Sequence, residues 1–352
     1  MTWIVGGVFV IAVAAALRAM SSVAIPVVFA TLITFVLAPL HARLATALPS
    51  ALRWVSHVLV MLLVMTVIVG MVAALVFAAE RVLQEVPSVG QIQQILQPGP
   101  DSDTALNGQL KDIWNTISSA FSGWMVDQVT TIARAIAGMT GIFISTLVIV
   151  FFLILLALTE SDTWRGKVKT LWPEQGQTVW VETLSTIAYS LRKFLLIRSG
   201  IGLLQALLYV LWLWLFGVDL LVVWAVLTFV LTYIPNLGSV IAGTLPVLYA
   251  LITKDWGTAL GVAAGLLVIE QVVGNFIDPK ILGKYVLLSP VVILVSLLFW
   301  GWLWGVAGAF LATPIMLSLL VTFNHIASLR PLALLLSNQR TDKDLDHALD
   351  RS

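Results

Sequence analysis

Apolar and polar positions fall in long blocks along this chain. Apolar runs lie near residues 4–17, 23–40, 55–79, 138–158, 199–216, 220–234, 239–253, 257–277, 287–300 and 305–323. Several approach or exceed the ~20 residues a helix needs to cross a hydrocarbon core. A β-barrel would show alternating segments of about ten residues instead. The pattern predicts an all-α polytopic membrane protein with about 8–10 hydrophobic segments. The first run has no positive stretch before it and more spans after it, so it reads as a first transmembrane helix rather than a cleaved signal.

Composition strengthens this reading. The 352 residues are 60% hydrophobic and 11% charged, against about 25% charged in soluble domains, so most of the surface does not face water. The net charge of +1 and the lack of a basic, aromatic-interleaved patch give no sign of a nucleic-acid partner. With no cysteine there is neither a disulfide framework nor a thiolate metal site.

The polar stretches set the orientation. Residues 80–137 are acid-rich, with Glu80, Glu85, Asp101, Asp103, Asp112 and Asp127 against Arg81, Lys111 and Arg134. Residues 160–198 carry Arg165, Lys167, Lys169, Arg192, Lys193 and Arg198, and the tail adds Arg330, Arg340, Lys343 and Arg351. Counting Lys and Arg near the spans puts the basic stretches and both termini in the cytoplasm and 80–137 outside. Arg18, in a short outer turn, is the exception. The expected organisation is N-terminal transmembrane helices (1–79), an extracytoplasmic amphipathic helical region (80–137), a transmembrane helix (138–158), a cytoplasmic amphipathic helical region (159–198), a core (199–323) and a cytoplasmic tail (324–352). The 80–137 stretch is long for a simple loop. Its helical periodicity on either side of "QPGPDSD" predicts helices lying along the lipid surface.

Two places in the core suggest chain reversals. Residues 221–234 would rise only about 21 Å as a helix, short of a ~30 Å core. "PNLGS" follows, where Pro235 and Gly238 break helix, Asn236 suits a turn and Ser239 is a candidate N-cap. The second pair of segments, 287–300 and 305–323, is joined by "GWLWG", with Gly301 and Gly305 as the expected breaks. By the charge count the two tips point in opposite directions, as re-entrant halves of an inverted repeat would. Two tight turns between short full spans are the alternative.

The polar helix "EQVVGNFIDPK" stands out because a charge at mid-membrane costs roughly 2.5–3.5 kcal/mol on insertion scales. Helical spacing puts Gln271, Asn275 and Asp278 on one stripe, with Glu270 about 100° away beside Gly274. Glu270 is the deepest of these polar groups. It is a candidate ligand for a solute or cation, or a carboxylate that gains and loses a proton. The other reading is a structural carboxyl. Asp278 precedes Pro279, so the helix is expected to end there, at the inner interface. The candidate binding set is Asn236, Gly238, Ser239, Glu270, Gln271, Asn275 and Asp278, with Pro235, Pro279, Gly301 and Gly305 as breaks. There is no Walker loop, HExxH or GxSxG, and the four histidines show no metal spacing. No enzyme, cofactor or metal is expected.

"YIPNLGSVIAGTLP", "GNFIDPKILGK" and "LSPVVILVSLLFWGWLWGVAGAFLATPI" resemble the autoinducer-2 exporter family of bacterial membrane proteins. The resemblance runs the length of the chain in span order and is most specific over residues 232–316. Family signature positions fall on Pro235, Asn236, Gly238, Asn275, Asp278, Pro279, Lys280 and Gly283. The resemblance implies a secondary transporter of the bacterial inner membrane, assembled as a homopentamer with an elevator-like moving unit. It also implies efflux of the quorum-sensing signal autoinducer-2, while some members resemble sodium(lithium)/proton antiporters. Three readings follow: a gradient-driven exporter of a small polar solute, a monovalent cation/proton antiporter with H+ and Na+ as its ions, and a non-transporting scaffold. The expense of buried polar groups argues against the scaffold.

Overall fold

A computed structural model of the chain describes residues 12–49, 53–85, 140–160, 174–235, 237–282 and 287–351, with isolated positions between 116 and 167. The 80–137 region, apart from its first residues and a few such positions, lies outside the described residues, and so do Asn236 and Gly283. The described residues are helical, with one isolated bridge, Leu288 to Ser337, and no strand. Four helices are long and apolar enough to cross a membrane, the windows being Ser21–Ala38, Val181–Leu215, Trp256–Leu282 and Pro290–His325. Within them, several hydroxyls are satisfied by the helix itself. Thr31, Thr34 and Ser199 each donate to the carbonyl four residues earlier at 2.7–2.8 Å.

Helices α1 (Ser21–Ala47), α2 (Arg53–Glu85) and α3 (Thr140–Thr159) pack together around Ala30, Val60, Met61, Val64, Val150, Ile154 and Leu158. Helix α4 (Glu174–Leu215) is the spine of the rest. It runs unbroken through residue 198, where composition marked a change from a polar region to a span. The reason lies in the partners of its polar residues: Arg198 and Gln205 are buried and hydrogen-bonded rather than solvated.

The chain doubles back twice. Helix α5 (Leu221–Leu231) and helix α6 (Leu237–Thr253) form the first hairpin. Its turn is held by Gly238 N–H donating to Ile234 C=O at 3.0 Å and Leu237 N–H to Pro235 C=O at 2.7 Å. Gly238 comes so close to the Leu231 carbonyl that a Cβ there would overlap it. The returning helix therefore starts at Leu237. Ser239 lies inside its first turn and is not its cap, a correction to the sequence expectation.

The second reversal is inside α9 (Pro290–His325). Gly305 alone leaves the helix, at φ 63°, ψ −141°. Gly301 stays helical, so the break is one residue rather than the five of "GWLWG". Gly308 then lies against the Trp300 carbonyl as Gly238 does against Leu231. Trp304 is buried at this tip and its indole N–H donates to Leu17 C=O at 3.1 Å, seating the tip against the N-terminal helices.

Between the hairpins runs α7 (Trp256–Val272), capped by Asp255, whose carboxylate accepts from the Thr258 N–H at 3.0 Å and hydroxyl at 2.7 Å. Those bonds, the hydroxyl's first, hold the exposed Asp255 below the usual carboxylate range. A π-helical turn, Val273–Ile277, follows, and then α8 (Asp278–Leu282). The helix thus passes through Pro279 instead of ending there. The wide turn lets Asp278 N–H reach back five residues, to Val273 C=O. Proline's missing N–H then falls near the start of a new segment, where it is tolerated.

The tail is part of the core. Leu345 and Leu349 of α11 (Asp342–Arg351) and Ala333 of α10 (Arg330–Leu336) are buried with Phe194, Leu317 and Leu320. Asp346 accepts from Asn324 Nδ2 at 2.9 Å and pairs with Arg330 at 3.4 Å.

Adding a methyl at either close approach forces the turn open. Gly238→Ala and Gly308→Ala should each lower stability in detergent by about 1–3 kcal/mol, the usual range for overpacking. Gly200→Ala, where nothing lies within 4 Å of the new atom, should leave thermal unfolding unchanged or raise its midpoint.

Candidate functional site

The turn of the first hairpin, the middle of α4 and the polar helix enclose one cleft. Its lining includes Arg198, Gln205, Thr232, Ser239, Glu270, Asn275 and Asp278, with Ile201, Ile234, Val273 and Gly274 between them. The open space is about 70 Å³, room for a handful of water molecules.

Two carboxylates face this space in different states of pairing. Arg198 Nη1 lies 2.8 Å from both oxygens of Asp278, joining α4 to α8 across 80 positions of sequence. Arg198 is 5% exposed and Asp278 26%. Their charges cancel, so the pair sits in the protein at a fraction of the cost of either alone. Arg198 Nε is buried without a partner.

Glu270 has no such counter-charge among the described residues. Gln205 Nε2 donates to its Oε2 at 2.7 Å and the Tyr209 hydroxyl at 3.4 Å. Both donors are neutral. Gln205 Oε1 lies 3.5 Å from Thr232 Oγ1, which donates to Thr228 C=O at 2.7 Å. The hydroxyl's single proton is used there, so Gln205 stands beside the hairpin turn without accepting a hydrogen bond from it. The other Glu270 oxygen rests over Gly274, where an added Cβ would stand 2.8 Å away. Gly274 makes room for the carboxylate. Close helix packing is at Gly265, against Trp212.

The structure brings Ser239, Glu270, Asn275 and Asp278 together. Gln271 is exposed and does not line the cleft; it accepts a hydrogen bond from Asn275 Nδ2 at the cleft's edge. Gly238 is buried in the turn and does not line the cleft. Asn236 is outside the described residues. The π turn separates Asp278 from the amide stripe and directs it to Arg198. π turns are rare and recur at functional sites.

Sequence reasoning missed Arg198, Gln205, Tyr209 and Thr232. Arg198 was counted as a cytoplasmic loop charge. Gln205 is a single amide in "SGIGLLQALLYVLWLWL", and its isolation in that run is the signal that could have found it. Among the described residues, no group of three His, Asp or Glu side chains could hold a metal.

A family model described as "AI-2E family transporter" matches residues 8–328. The chain belongs to this family. The family is one of transporters, not of enzymes. Similar proteins include one named "Putative transport protein" from Borreliella burgdorferi, 31% identical over 64% of this chain and 62% of its own length. One of the same name from Haemophilus influenzae is 31% identical over 59% and 60%. The "AI-2 transport protein TqsA" of Escherichia coli K12 is 32% identical over 57% and 56%. Each match spans less than two thirds of the relative's length.

Removing Arg198 strands Asp278. Arg198→Ala should destabilise the protein by about 3 kcal/mol, the low end for breaking a buried pair because Asp278 is 26% exposed. Adding Asp278→Asn should recover most of that loss in denaturant unfolding.

Proposed function

We propose that the chain is a secondary-active transporter of the bacterial inner membrane that exports a small polar solute, with autoinducer-2 as the first candidate. The E. coli relative's name supports that solute. The observation that carries the reading is Glu270: a carboxyl with no counter-charge among the described residues, facing a polar cleft in an otherwise apolar bundle. Such groups in spans mark ion and proton paths. In this reading Glu270 takes up and releases the coupling proton. Asn275 and Ser239, with Asn236 close to Ser239 in sequence, hydrogen-bond the solute. Arg198–Asp278 fixes the inner edge of the site.

The two reversals enter the membrane from opposite sides, and the broken backbone at each tip is tolerated because it borders protein or a wet cavity. The core of α4 to α9 moves as an elevator against α1 to α3, in a homopentamer with both termini cytoplasmic. Family resemblance supports the assembly and the motion, and the distribution of Lys and Arg supports the orientation.

The small open space favours a second reading, exchange of Na+ or Li+ for protons. There Glu270 is the ion ligand, and Asp278, already held by Arg198, is not.

Purified protein in proteoliposomes with a trapped pH dye separates the two. An autoinducer-2 gradient that drives proton flux supports export; Na+ or Li+ driving it without solute supports exchange. Glu270→Gln should abolish proton flux in either case while protein yield and folding are kept, and unchanged flux in that variant would contradict the reading. Gly274→Ala, which pushes the Glu270 carboxylate aside, should cut flux about tenfold or more, as misplacing a reacting group by about 1 Å does.

A further inference from the structure

A ladder of aromatic rings links parts of the fold that are otherwise barely in contact. Tyr233, in the first hairpin's turn, stacks on Phe310 in the returning arm of the second, with centroids 5.0 Å apart and planes at 27°. Phe310 stacks in turn on Phe29 of α1, at 5.9 Å and 29°. Phe229 meets Tyr233 edge-on at 5.8 Å. Helix α9 packs on α4 and α1 but hardly on α5 or α6, so the Tyr233–Phe310 stack is a principal link between the two hairpins. The other aromatic pairs of the first hairpin and its neighbours, Trp224–Tyr249 and Trp212–Phe216, sit within one packed cluster and bridge nothing comparable.

Tyr233 is also placed to report on the cleft. The residues on either side of it, Thr232 and Ile234, both line the cleft. Its hydroxyl shares a hydrogen bond with Ser199 Oγ, next to Arg198. A displacement of the Tyr233 ring from Phe310 therefore acts on the segment that carries Thr232 and Ile234 into the cleft wall. Stacked rings suit such a role. They attract without a fixed hydrogen-bond geometry, so the polar contact at stake on parting is the Tyr233–Ser199 hydrogen bond.

We infer that Tyr233 and Phe310 form an aromatic gate between the two hairpins, closed here, which parts in each transport cycle to open the cleft. The inference rests on the transport reading above for its cycle, but its geometry can be tested without transport.

The chain has no native cysteine, which makes two tests clean. In the first, Ser239→Cys reports access to the cleft in reconstituted protein through its reaction rate with a membrane-impermeant thiol reagent. Adding Phe310→Ala should raise that rate severalfold, while Tyr233→Phe, which keeps the ring, should leave it unchanged. An unaltered rate in Phe310→Ala overturns the gate, whatever the transport assay gives.

In the second, Tyr233→Cys/Phe310→Cys is bridged by a short bifunctional methanethiosulfonate. The probe is whichever of autoinducer-2 or Na+ drives proton flux in the wild type. Flux should be lost on bridging and return on reduction. Bridged protein that carries the reduced protein's flux overturns the gate. If the reduced pair is itself inactive, the access measurement decides. Absent wild-type flux with a raised access rate would sink the transport reading and keep the gate.

Discussion

Arg198 and Asp278 neutralise each other between α4 and α8, and that pairing sets what is left for Glu270. A cleft lined by one guanidinium and two carboxyls could hold either acid as its free charge. The 2.8 Å contacts from Arg198 assign the cation to Asp278. Glu270 is left with two neutral donors. The same pair ties the helix after the π turn to the spine, so that the polar helix presents Glu270 to the hairpin turn and keeps Asp278 at the edge.

The hairpins solve a related problem with backbone. A chain that reverses inside an apolar bundle leaves carbonyls and amides without helical partners. Each turn is made compact by a glycine, Gly238 or Gly308, that lets the returning arm lie against a carbonyl of the outgoing one. The two turns are built alike at that contact and differ in how the helix is broken. The first uses a non-helical stretch around Pro235, the second a single glycine at positive φ. The first tip walls the cleft; the second is seated by Trp304 on the N-terminal helices.

Sequence made the helical class and both reversals legible, because each rests on local signals: run length and Pro and Gly punctuation. What it hid is tertiary. Arg198 was hidden because its partner is 80 positions away and its neighbours are basic. Gln205 and Thr232 look like ordinary tolerated polar residues until the fold aligns them with Glu270. The π turn has no signature in "VGNFI", and without it the helical stripe misassigned Asp278. Gly301 and Gly305 are equivalent in sequence, and the backbone of Gly305, at positive φ, shows which one turns.

The central claim is that Glu270 is the carboxyl of this bundle that exchanges a proton. Infrared difference spectroscopy of the purified protein across a pH titration reads carboxylic C=O stretching directly. A protonated-carboxyl band that titrates in the wild type, disappears in Glu270→Gln and persists in Asp278→Asn is the predicted result. A titrating band that survives Glu270→Gln unchanged would contradict it.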